Sequence, residues 1–156
     1  MSKRIASAVV CMCALAALFL SGCGGRKAAV PEPEALWKEI ESRTGMTGMT
    51  VMSEDYLWQN TGIEANSYEQ AICCVPASAA APDEIIIVRA RDRETASEIE
   101  KQLKERLAYK EQAATRYLTE YMPVIRAGFV RRDGLTVSLI VSEKADEIRE
   151  LFDRYG

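Results

Sequence analysis

Sulfur supplies the softest nucleophiles and ligands in this sequence, and its five cysteines fall into three groups. Cys11 and Cys13 lie in an apolar N-terminal run, Cys23 follows a glycine just after it, and Cys73 and Cys74 are adjacent. Neighbouring Cα atoms are about 3.8 Å apart, below the usual disulfide separation. On a strand the two thiols would also point to opposite faces. Cys73-Cys74 therefore reads as a pair of small apolar strand residues, with an intermolecular disulfide as the alternative. A metal would need further soft ligands, which the chain lacks. There is no histidine, so the commonest general base, metal ligand and pH switch are all missing. The acidic pairs Glu54-Asp55, Asp83-Glu84 and Asp146-Glu147 fall where helix caps or strand starts use them. Arg89 with Arg91, and Arg131 with Arg132, are the candidates for a small anion patch. Serine, threonine and glycine form neither a nucleophile elbow nor a phosphate loop. The expectation is no catalytic residue, no cofactor and no metal.

Cys23 is different because of what precedes it. Lys3 and Arg4 start a run, Ile5 to Leu20, broken only by Ser7, which is the layout of an export signal. The run is shorter than the roughly 20 residues a membrane-spanning helix needs. It ends in Leu20-Ser21-Gly22-Cys23, which resembles the lipobox of bacterial lipoproteins: cleavage between Gly22 and Cys23, then acylation of the Cys23 thiol. The expected organisation is a signal peptide over 1–22, lipidated Cys23 with a linker over 23–35, and a single domain over 36–156. The linker GGRKAAVPEPEA would hold the domain some 35 Å from the lipid at about 3 Å per residue.

The elements that must position the remaining residues are read from periodicity. Helices are predicted over Glu34–Arg43, with Leu36, Trp37 and Ile40 inward, and over Ser53–Asn60, with Ser53 as N-cap and Gly62 just past the end. Strands follow at Tyr68–Val75 and Glu84–Arg91. A long helix with Asp92 or Thr95 as cap carries Ala96, Ile99, Leu103, Leu107, Ala114 and Leu118 on one stripe, and Pro123 sets its latest end. Strands at Ile125–Arg132 and Leu135–Ser142 flank Asp133-Gly134, a strong hairpin signal. A closing helix spans Glu143–Tyr155. The expected fold is α+β: a two-layer sandwich with a four-stranded, mainly antiparallel sheet in ββαββα order, its two longer helices on one face, plus short N-terminal helices.

A two-residue turn at Asp133-Gly134 would face Arg132 with Leu135 and pair Val130 with Val137. Alternation then gives the opposite face Ile85, Ile87, Phe129 and Ile140, too apolar for a solvated surface. Either the N-terminal helices cover it, or those four residues form an exposed interaction face.

The mature part carries 18 basic against 23 acidic residues, which disfavours nucleic acid as a partner. Its order of motifs, LWQNTGI, a strand ending in Pro76, DEIIIVRARD, a long charged helix, Tyr121-Met122-Pro123 and GFVRRDGLTVSLIVS, resembles the domain of unknown function 4358 family of small lipoproteins from Gram-positive, clostridia-like bacteria, over about residues 48–156. Cys73-Cys74 is not part of that family's pattern. The resemblance implies lipid anchoring on the extracytoplasmic face of the cell membrane and no established activity. The leading expectation is a non-enzymatic interaction or accessory module with an envelope protein partner. The alternative is a small-ligand-binding or sensory lipoprotein that takes its ligand between the N-terminal helices and the sheet.

Overall fold

The computed structural model describes residues 28–78, 81–117 and 119–155. The stretch expected to be an export signal, with Gly22, Cys23 and the expected linker up to Lys27, lies outside the described residues, as does Leu118.

Helix α1 (Pro33–Thr44) opens on a proline, whose missing N–H costs nothing in a first turn, and stops at Gly45, which takes the left-handed conformation at φ 66°. Helix α2 (Glu54–Thr61) is capped by the Ser53 hydroxyl, which accepts from the Tyr56 N–H at 3.3 Å, and ends at Gly62, φ 75°. Between them lies a short strand, β1 (Met49–Val51). β2 (Tyr68–Pro76), β3 (Glu84–Ala90), β4 (Phe129–Asp133) and β5 (Thr136–Val141) complete an antiparallel sheet of five strands in the order β1-β2-β3-β5-β4. The α+β class agrees with the sequence, and β1 is an addition to the four expected strands.

Helix α3 (Arg93–Tyr117) is about 37 Å long at 1.5 Å per residue. Its cap is Asp92, whose carboxylate accepts from the Thr95 N–H at 2.8 Å. Its stripe of Ala96, Ile99, Leu103 and Ala114 packs on Ile86, Val88, Val137, Leu139 and Val141. Helices α2 and α4 (Met122–Ala127) join it through Leu57 and Ile125. The expected strand from Ile125 is corrected here: Pro123 opens a new helix instead of merely limiting the old one, so the strand begins only at Phe129.

The two helices expected to be the longest do not share a face, and the closing one is shorter than expected. Helix α5 (Ala145–Phe152) lies across the sheet from α3, beside α1, where Ile148, Leu151 and Phe152 meet Leu36, Trp37 and Ile40 over Ile72, Cys74, Ile85, Ile87 and Ile140. The result is three layers, because β3 is apolar at every inward and outward position from Ile85 to Val88, and each isoleucine left wet would cost about 2 kcal/mol. The hairpin register also moves. Asp133 pairs with Thr136 and Val130 with Leu139, so the turn residues are Gly134 and Leu135. Gly134 alone carries positive φ, 64°, the pattern of a type II′ turn. A shift of two residues keeps parity, so Phe129 and Ile140 remain on the face opposite Val130 and Leu139.

Candidate functional site

Three of the four residues offered as an interaction face are core. Ile85, Ile87 and Ile140 have no exposed surface, being covered by α1 and α5, and this corrects their reading as a platform. Phe129 stands at the margin of the same cluster, its ring edge-on to Phe152 at 6.3 Å and beneath the Arg149 guanidinium at 4.4 Å.

The thiols are equally enclosed. Cys73 faces the α3 layer and Cys74 the α1/α5 layer, as strand alternation requires, and both are free. Burial pushes both up to about 12, with the Glu84 charge adding to the effect on Cys73 and the Glu41 charge on Cys74. At neutral pH they are undissociated thiols and poor nucleophiles.

The acidic pairs serve the fold. Glu54-Asp55 and Asp146-Glu147 lie in the first turns of α2 and α5, where the helix dipole favours them. Glu84 is fully buried and held by Arg106 and Lys110, each at 3.0 Å. Three of the four arginines proposed as an anion patch already have carboxylates: Arg89 meets Glu32 and Glu69 at 3.3 Å, Arg131 meets Asp133 at 2.7 Å and also Asp153, and Arg132 meets Glu100 at 3.2 Å. Among the described residues no group of three or more Cys, Asp or Glu could hold a metal.

The place of the surface that remains, between an N-terminal helix and the sheet, was foreseen from the sequence; the residues that line it were not. A groove of about 450 Å³ runs between α1 and the β1 end of the sheet, lined by Glu34, Trp37, Lys38, Glu41, Met49, Val51, Ala71 and Ile72. Val51 is 61% exposed there. Beside it β1 is an edge strand, paired among the described residues with β2 alone. Glycine at 45 and 48, both with positive φ, was the available sign that the chain turns twice and runs briefly straight between α1 and α2. A second hollow of about 430 Å³ at the α2/α3 junction is polar, lined by Glu64, Asn66, Ser67, Thr95, Glu98 and Gln102 among others. Among the described residues no helix is long and apolar enough to cross a membrane.

Comparison with curated proteins gives no match, and comparison with solved structures gives none. The stretch from residue 43 to 142, which holds all five strands and α2 to α4, matches the family described as domain of unknown function DUF4358, and the chain belongs to that family.

Proposed function

We propose that the protein is a lipid-anchored, non-enzymatic interaction or accessory module, held through acylated Cys23 at the extracytoplasmic face of the cell membrane and acting on an envelope protein partner. The anchor rests on Leu20-Ser21-Gly22-Cys23 following the apolar run. The interaction role rests on one contrast: the thiols and the Glu84 carboxylate are enclosed, whereas Val51 and its groove keep apolar surface open at a sheet edge. The test is crosslinking and affinity isolation of the full chain from its native membranes, beside a Cys23→Ala form. The expected result is one enriched envelope partner for the acylated protein, and loss of both acyl labelling and membrane retention in the variant. No enriched partner would remove the interaction role; unchanged retention of Cys23→Ala would remove the anchor.

A small-ligand role has one observation in its favour. The groove volume falls in the range of ligand pockets, at the expected place between an N-terminal helix and the sheet. Thermal stabilisation of the full chain by a small molecule, in the absence of any protein partner, would favour it.

A further inference from the structure

We infer that the β1 edge and its groove take an extended, cationic segment of the partner as a sixth strand, an inference that rests on the interaction role proposed above. The backbone sets the first half of the argument. Ladder bonds from Met52 N–H to Cys73 C=O and from Ala77 N–H to Gly48 C=O fix which residues of this pair face β2. By antiparallel alternation Thr50 belongs to the same inward set, so Met49 and Val51 turn their N–H and C=O groups outward. No backbone group among the described residues pairs with those four. The edge is thus a two-residue template for strand addition. Met49 and Val51 also put their side chains on the groove side, where Trp37 and Ile72 complete an apolar floor for alternate side chains of an incoming strand.

Charge sets the second half. Along α1, Glu34 is paired with Lys38 at 2.7 Å, whereas the Glu41 carboxylate makes no salt bridge among the described residues and feels Lys38 only at longer range. Just beyond β1, Glu54 and Asp55 start α2. Four carboxylates against one ammonium therefore flank the edge, and an incoming strand with Lys or Arg between its apolar residues meets complementary charge on both sides. An acidic strand would be repelled from the same contacts.

The probes are three synthetic nonapeptides: alternating valine and lysine, alternating valine and glutamate, and the valine-lysine form broken by a central proline. Binding to the full chain is read by fluorescence anisotropy, with amide shifts followed by NMR. The expected result is binding of the unbroken basic peptide about tenfold or more tighter than either other probe, with shifts at Met49 and Val51. Val51→Pro removes an outward donor and no bond to β2, so it should weaken binding about tenfold. Glu41→Lys with Asp55→Lys, which leaves the edge backbone intact, should do the same should the proline variant misfold. Equal binding of the proline-broken peptide would reduce the site to general charge attraction and overturn strand addition. A stable dimer of the chain through β1 that excludes the peptide would overturn it in favour of a second copy. Membrane crosslinking separates the two readings: a partner still captured by the folded Val51→Pro chain leaves the interaction role standing and removes this site, whereas no partner for the native chain removes the role itself.

Discussion

Glu84 and Arg106 form a forked ion pair inside the protein, the Arg106 Nε lying 3.3 and 3.2 Å from the two carboxylate oxygens and its Nη2 3.0 Å from one of them. Lys110 approaches the other oxygen at 3.0 Å. The carboxylate belongs to the first residue of β3 and the cations to successive turns of α3, so the cluster pins the long helix to the sheet in one axial position. Glu84→Gln should leave two largely buried cations without a counter-charge and cost about 3 kcal/mol in urea unfolding. Replacing all three by Leu, Met and Met should stay within about 1 kcal/mol of the native chain. A loss for Glu84→Gln below about 1 kcal/mol would mean that water screens the cluster.

The thiols make an alkaline prediction. Both Cys73 and Cys74 are raised from 9.0 to about 12 by burial, so the folded state holds their protons more tightly than the unfolded chain does. Their contribution is whole below pH 9 and is lost as pH rises toward 12, at up to about 1.4 kcal/mol per pH unit for each thiol. Stability of the native chain should therefore fall more steeply over that window than that of Cys73→Ala/Cys74→Ala. Parallel curves for the two proteins would show that the thiols are not sealed. Iodoacetamide at neutral pH should label neither residue until the chain is unfolded.

Ile87 tests which face is core. With no exposed surface beneath α1 and α5, its truncation to alanine should cost about 3 kcal/mol in denaturant unfolding. A cost under about 0.5 kcal/mol, the size expected of a surface site, would restore the open platform.

Gly128 has an ordinary φ of −60°, so its requirement is spatial. A Cβ there would stand 2.9 Å from the carbonyl oxygens of both Ile125 and Ile140. Gly128→Ala should cost about 2 kcal/mol by forcing α4 away from β5, measurable as a lower midpoint in urea. Gly45, with open space around the same position, provides a comparison in which only the dihedral penalty acts.

Local signals carried most of the element boundaries, because caps act within four residues: Ser53 and Gly62 mark the two ends of α2 where the sequence put them, and α1 ends within a residue of the expected Arg43. The apolar run in β3 left two readings of the second face, cover by the N-terminal helices or an exposed platform, and did not say that the closing helix would join α1 there. That choice is made by contacts far apart in sequence, and α5 satisfies it against α1 rather than α3. Alternation over three residues is too short to declare β1, whose strand character comes from pairing with β2. The hairpin slipped by two because glycine fits the first loop position of one turn type and the second of another. Parity protected the face assignment all the same. The groove needs α1, β1 and β2 assembled before it exists, so no single stretch of sequence announces it.

The bridge between Ala28 and Tyr155, with Val30 packed on the second core just after it, shortens the leash. Only residues 24–27 separate the proposed acylated cysteine from a chain position already fastened to the domain, a span of roughly 17 Å when fully stretched. The folded body would then skim the bilayer instead of ranging through the wall, and its search for a partner would be nearly two-dimensional. A partner buried deep in the peptidoglycan would be out of reach; one whose recognition segment lies just above the headgroups would be met at every pass.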